Sequence, residues 1–337
     1  MNSISYYYFK KLSFYKIFNF ILIKLSFLIS YTTKKAKIWG KPISISIEPT
    51  TSCNLRCPEC PSGLRSFTRP IGMLQQQVFQ KTIDELAAST IQLTFYFQGE
   101  PYLNPAFLEM VQYAHKKNIF TATSTNAHYL NSEIARKTVE SGLDKLIVSL
   151  DGTTQEIYEQ YRIGGDIQKV YDGIKNIQFW KEKLNSPTPF VVIQFLVVKP
   201  NEHQIEEAKL IAKQLKVNDI VFKTAQIYDF ENGSPLIPAQ EKYSRYRKNA
   251  VGKYELKNKL LNKCWRMWSS CVITWDGDVL PCCFDKDAQN KTGNLQHQKF
   301  DTIWQNHSYQ KFRNSILKSR KEIEICQNCT EGTEVFL

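Results

Sequence analysis

The chain has 337 residues, 42% hydrophobic, enough for one full-size core plus a small appendage. Its nine cysteines are odd in number and fall only in residues 53–60 and 264–329, which argues against a secreted disulfide scaffold and for reduced, metal-binding thiols. The net charge is +12, but residues 1–47 hold eight lysines and no acid, so the remaining 290 residues carry only about +4, too little for a nucleic-acid-binding body.

Residues 14–30 are strongly apolar, yet Lys16, Asn19 and Lys24 interrupt them, so no unbroken run reaches the ~20 residues of a membrane span. No small-residue cleavage site follows. Three readings stay open for residues 1–42: a helix packed on the protein, an amphipathic helix on an anionic membrane surface, or a targeting or spanning segment. From residue 43 strands and helices alternate. Strands are predicted at Ile43–Ile47, Ile91–Phe97, Ile119–Ser124, Lys145–Leu150, Phe190–Val198 and Asp219–Lys223. Helices are predicted at Gln75–Ala88, Pro105–Lys117, Ser132–Ser141, Gln155–Tyr161, Ile167–Leu184 and Glu202–Leu215. Six such units imply an α/β fold, a partial (β/α)6 TIM-type barrel over residues 43–224, with functional groups at the C-terminal strand ends. Residues 225–263 read as a polar linker. In residues 264–337 a hairpin is predicted across Val272–Leu280 and a single helix over Phe300–Lys318.

Just after the first strand lies Cys53-Asn-Leu-Arg-Cys57-Pro-Glu-Cys60. Three thiolates on one short loop can hold three irons of a [4Fe–4S] cubane and leave the fourth iron open. An electron-transfer ferredoxin supplies four thiolates, and a structural zinc site also wants four ligands. The stretch Glu48-Pro-Thr-Thr-Ser-Cys-Asn-Leu-Arg-Cys-Pro-Glu-Cys60 resembles the signature of the radical S-adenosylmethionine (SAM) superfamily. The resemblance implies that the SAM amino and carboxylate groups chelate the open iron. One electron then cleaves SAM to methionine and a 5′-deoxyadenosyl radical, which takes hydrogen from a substrate.

The same resemblance assigns residues at later strand ends. Gly99 and Glu100 would grip the SAM ammonium. Ser124 and Asn126 would face the ribose hydroxyls. Ser149 and Arg162 would meet the SAM carboxylate, with Asp151 beside them. The adenine pocket would lie near Phe195–Val198, residues that also read as plain strand core. Ser149 and Asp151 also read as an ordinary strand-to-helix cap, and Arg162 as a surface ion pair.

The C-terminal stretch Trp275-Asp-Gly-Asp-Val-Leu-Pro-Cys-Cys283 resembles the auxiliary-cluster domains of these enzymes, SPASM in the long form and twitch in the short. The match favours Cys282 over Cys283, so Cys264, Cys282, Cys326 and Cys329 would complete a second, auxiliary [4Fe–4S] cluster. Four thiolates also suit zinc. The long form's central cysteine block is missing, so one auxiliary cluster is expected. Cys271 and Cys283 are left over; in the similar sulfatase-maturing enzymes an Asp base stands where Cys283 does. The resulting expectation is a radical SAM enzyme of oxidoreductase type acting on a peptide or a small molecule such as a sugar alcohol. Flavodoxin or ferredoxin would be its reductant. The location expected is cytoplasmic, peripheral at the membrane surface if the arm docks there. The alternative is a non-catalytic iron–sulfur electron-transfer protein.

Overall fold

The computed structural model describes residues 4–257 and 260–330. The outer limits of the arm and of the C-terminal segment, and residues 258 and 259 of the linker, lie outside the described residues. Two helices open the chain, α1 (Ile4–Lys10) and α2 (Phe14–Thr33). The strands are β1 (Ser44–Ile47), β2 (Gln92–Thr94), β3 (Phe120–Thr125), β4 (Lys145–Ser149), β5 (Phe190–Val197), β6 (Asp219–Thr224), β7 (Tyr246–Lys248), β8 (Tyr254–Leu256), β9 (Ser270–Ile273), β10 (Asp278–Leu280) and β11 (Gly293–Asn294). All six predicted barrel strands form, each within a few residues of its expected bounds.

The chain divides into two compact units. The first holds residues 4–52, 67–123 and 260–330. Here β1 pairs in parallel with β2 on one edge and with β9 on the other. Alternation explains the strand: Ile45 and Ile47 are fully buried, while Ser44 and Ser46 face the other side half-buried. The predicted hairpin is β9–β10, closed at Gly277, whose φ of 84° suits a residue without Cβ. Thr274 Oγ1 accepts from the Asp278 amide across it at 3.1 Å. That β9 joins β1 was not readable from sequence, because strand pairing at such separation leaves no local trace. At the end of β1, the buried Glu48 carboxylate takes a bidentate bond from Arg69 at 2.5 and 2.8 Å.

Two expectations need correction. Phe300–Lys318 is two helices, Phe300–Gln305 and His307–Ser319. Asn306, extended at ψ 169°, breaks them and caps the second through a side-chain bond from the Tyr309 amide. The segment 225–263 is not a plain linker. It carries the antiparallel pair β7–β8 and places Ala225, Ile227, Ile237 and Tyr246 in an apolar cluster with Leu55 and Cys57.

The second unit holds residues 53–66 and 124–257. Its strands β4, β5 and β6 run parallel in register. The helix Ile167–Lys183 buries Val170, Ile174 and Ile177, spaced four and three residues apart on one face. Asp166 caps it, accepting from the Gln168 amide.

In the first unit α2 is 20 residues long, enough by length and composition to cross a membrane. Its buried positions are Lys16, Asn19, Ile23, Ser26 and Ser30, a stripe at helical spacing that is mostly polar. Of the polar residues that interrupt the apolar run, Lys16 and Asn19 therefore lie on the docking face, while Lys24 is exposed.

Candidate metal centres

The first centre is built on the loop after β1. The Cys60 amide donates to the Cys57 carbonyl at 3.3 Å, and the short helix Pro61–Leu64 follows directly. Gly63 permits this fold: a Cβ there would lie 2.5 Å from both the amide nitrogen and the carbonyl oxygen of Cys57. Arg65 bonds back to the Cys53 carbonyl at 2.8 Å. Cys57 is buried, with Cys53 and Cys60 packed against the same apolar cluster. Burial pushes the Cys57 thiol up, against the pull of Arg162. Metal ligation must therefore displace its proton.

Two donors, one just after β3 and one at the end of the helix Gln155–Tyr161, reach these sulfurs. Asn126 Nδ2 lies 3.9 Å from Cys53 Sγ and 2.8 Å from Asn54 Oδ1. Arg162 Nη1 lies 3.7 Å from Cys57 Sγ, and its Nε donates to Asp151 Oδ2 at 2.5 Å. Burial alone would lower the Arg162 pKa, but Asp151, Cys57, Tyr158 and Tyr161 together outweigh it and hold the guanidinium well above its ordinary value. The Leu196 backbone N–H donates to Asp151 Oδ1 at 2.7 Å, and Asn201 Nδ2 donates to the Asp151 carbonyl at 2.9 Å. Asp151 and Arg162, expected side by side at a ligand, are thus an ion pair, with Asp151 buried and Arg162 half-buried. His128 steadies the Asn126 turn. Its Nε2 accepts from the Asp166 amide at 2.8 Å, so Nδ1 carries the proton, 2.9 Å from the Asn126 carbonyl. Ser149 ends β4 and is buried, and Ser124 is half-buried in β3. Phe195 and Val197 are fully buried with Ile205 and Ala208, so they are strand core; Leu196 and Val198 pack against the cysteine-loop cluster instead.

Gly99 and Glu100 belong to the other unit. Gly99 has φ 75°, and a Cβ there would lie 2.2 Å from the Thr50 carbonyl oxygen. The Glu100 amide donates to the Ser52 carbonyl at 2.8 Å, one residue before Cys53 in the chain. Its carboxylate is buried and accepts from the Tyr102 amide at 3.4 Å.

The C-terminal thiols form the second centre. Cys282 is tied to the Cys283 side chain, which with burial and Cys264 drives its thiol well upward. Arg320 Nη2 lies 3.2 Å from Cys329 Sγ, and its Nη1 donates to the Lys263 carbonyl. Burial opposes the Arg320 cation, but Cys264, Cys329 and Cys326 together raise its pKa. Arg320 is the residue that brings Cys264, Cys326 and Cys329 into one neighbourhood. A cavity of about 510 Å³ adjoins them, lined by Cys264, Cys282 and Cys283 and by Ser46, Gln92 and Tyr96. Cys271 is fully buried between this cavity and Arg313, as a small core residue would be. No disulfide joins any of the nine cysteines. Among the described residues, no three His, Cys, Asp or Glu side chains are gathered around a point that could hold one metal ion. A cubane needs no such point, since each thiolate takes a different iron.

Residues 47–209 match the radical SAM superfamily, and residues 264–330 match an iron–sulfur cluster-binding domain, SPASM. The chain belongs to the radical SAM superfamily. A tungsten-containing aldehyde ferredoxin oxidoreductase cofactor-modifying protein of Pyrococcus furiosus is 25% identical over 79% of this chain and 82% of its own. The mycofactocin maturase of Mycobacterium tuberculosis is 25% identical over 86% of this chain and 75% of its own. The structure of Streptococcus suis SuiB bound to its precursor peptide SuiA aligns with a TM-score of 0.61 at 14% identity, covering 91% of this chain and 74% of the other. This radical SAM protein has the partial (β/α)6 architecture with a C-terminal SPASM domain. Its cofactors are SAM and a [4Fe–4S] cluster, with auxiliary iron–sulfur binding at the SPASM domain.

The residues present fit these groups. Three thiols within eight residues suit three irons of a cubane. In the SPASM domain a buried arginine among three cysteines suits a bound group of net negative charge.

The sequence did not reveal Gly63, Arg65, His128 or Arg320. Gly63 had a readable signal, since a glycine three residues beyond a cysteine loop marks close backbone approach. Arg320 had none, because its role appears only once the helix His307–Ser319 returns it to Cys264.

Proposed function

We propose that the protein oxidises its substrate by hydrogen abstraction. The Cys53–Cys60 loop would be the site of SAM cleavage, and the C-terminal thiols the outlet for the second electron. The observation that carries this reading is the loop itself: three thiols, no fourth on the loop, and Asn126 and Arg162 aimed at two of the sulfurs. Bound there, the cluster supplies the one electron that splits SAM into methionine and a 5′-deoxyadenosyl radical.

The chain's part is to hold, orient and exclude water. Cys53, Cys57 and Cys60 would hold three irons. Gly99 gives close approach and Glu100 would take the SAM ammonium. Ser124 and Asn126 would meet the ribose. Ser149 and Arg162 would meet the SAM carboxylate, with Asp151 fixing the Arg162 fork. The apolar packing of Leu55, Tyr161, Val198 and Ile227 shields Cys57 from water. Cys264, Cys282, Cys326 and Cys329 would hold the auxiliary cluster, and flavodoxin or ferredoxin would deliver electrons. The maturase among the relatives supports a peptide substrate over a small alcohol.

The test is anaerobic reconstitution with dithionite and SAM. Formation of 5′-deoxyadenosine is expected, with about eight irons per chain for two cubanes. No 5′-deoxyadenosine at full iron loading would overturn the reading in favour of an electron carrier.

A further inference from the structure

Helix α2 is turned inside out for a soluble protein. Its polar stripe faces the fold, and each polar group there is bonded. Lys16 Nζ donates to the carbonyls of Lys11 at 3.1 Å and Asn118 at 2.6 Å. Asn19 exchanges two bonds with the Lys41 backbone, each 2.9 Å. Ser26 and Ser30 accept from the Trp39 and Lys37 amides at 3.0 and 2.8 Å. The stripe thus clasps the returning chain at residues 37–41 and fixes the rotation of the helix.

That rotation sends the apolar side outward. Phe14, Ile17, Phe18, Ile21, Leu25 and Leu28 recur at helical spacing and are 44–87% exposed. Phe9 in α1 is exposed as well, at 67%. A contiguous apolar patch of this kind marks an interaction surface. Its fringe is cationic: Lys10, Lys24, Lys34, Lys35 and Lys37 are exposed, and no acid occurs before Glu48.

We propose that this face lies on an anionic lipid surface, with α2 parallel to the membrane plane. An apolar stripe with a lysine fringe matches acyl chains beneath anionic headgroups. Charge decides against a second copy, because two such lysine-rich arms would repel face to face. Bonding decides against a span, because α2 could cross a bilayer only by breaking Lys16, Asn19, Ser26 and Ser30 from their partners and burying Lys24.

The experiment is anaerobic co-sedimentation of the full chain with vesicles of phosphatidylcholine alone and with about 30% phosphatidylglycerol. Binding is expected only with the anionic lipid, and to weaken as salt rises. The variant Ile21→Glu/Leu25→Glu should lose at least tenfold in partitioning. Lys34→Gln/Lys35→Gln should lose roughly fivefold per lysine at low salt. Both alter only exposed side chains, and unchanged circular dichroism will confirm the fold. Absence of binding to anionic vesicles would overturn the proposal. So would a dimer that Ile21→Glu/Leu25→Glu dissolves, or membrane association that resists alkaline carbonate extraction.

Discussion

The two cysteine centres are built on opposite plans. The Cys53–Cys60 loop is local: three thiols on eight residues, shaped by one glycine and touched by one side chain from a strand end and one from a helix end. The C-terminal set runs from Cys264 to Cys329 and exists only because tertiary folding returns Arg320 to Cys264 and Cys329. A local site can be read and broken one residue at a time. A dispersed site depends on the packing that assembles it. On the proposed ligand sets the difference would also divide the labour: a three-thiol loop would leave an iron open for chemistry, and a four-thiol site would be closed and suit electron storage.

The largest effect should come from Cys57→Ala. Production of 5′-deoxyadenosine should fall below detection and iron should drop from about eight to about four per chain, while the auxiliary signal persists in electron paramagnetic resonance. Retention of both signals would break the division between the centres. Gly63→Ala comes next. It touches no thiol, yet its Cβ would press on the Cys57 backbone. A loss of about 1–3 kcal/mol in chemical denaturation and of first-centre iron is expected. Third, Cys282→Ala should remove the auxiliary signal and Cys283→Ala should not; the reverse would reassign the ligand. Fourth, Arg320→Met should make the auxiliary cluster harder to reduce, because a nearby cation favours the more negative state. Spectroelectrochemical titration should show that shift at one centre only, partly restored by Arg320→Lys.

The smallest effect concerns the arm. Burial, reinforced by nearby Lys11, lowers the Lys16 pKa to about 8. The unfolded chain keeps Lys near 10.4 and so binds more protons between about pH 8 and 10.4. Stability attributable to Lys16 therefore rises with pH across that window, and the full penalty is present below it. The thermal midpoint of wild type, minus that of Lys16→Met, should increase from pH 8 to pH 10.

Much of the fold was legible because strands of a parallel sheet are short apolar runs between helical patterns. Phe190–Val198 and Lys145–Leu150 announced themselves, and so did the cysteine spacing. Three things did not. The ion pair between Asp151 and Arg162 was hidden, because each residue looked directed at a ligand rather than at the other. The break at Asn306 was hidden because Asn is tolerated inside helices and marks a start only when the backbone turns extended. The orientation of α2 was hidden because Lys16 and Asn19 showed only as interruptions of an apolar run, with no sign of which side they face. They are attachments to backbone carbonyls, a choice that only the surrounding chain can decide.

The pairing of β1 with β9 has a consequence in time. A ribosome makes the strand that delivers the first cysteine loop among its earliest products, and the strand that seals its open edge only after residue 273. Throughout that interval β1 offers unpaired amides and carbonyls to any passing strand. Iron delivered to the loop during synthesis would meet a half-finished frame. Cluster loading at the first centre should therefore await completion of the last segment, which would make the carboxy-terminal domain a checkpoint for maturation.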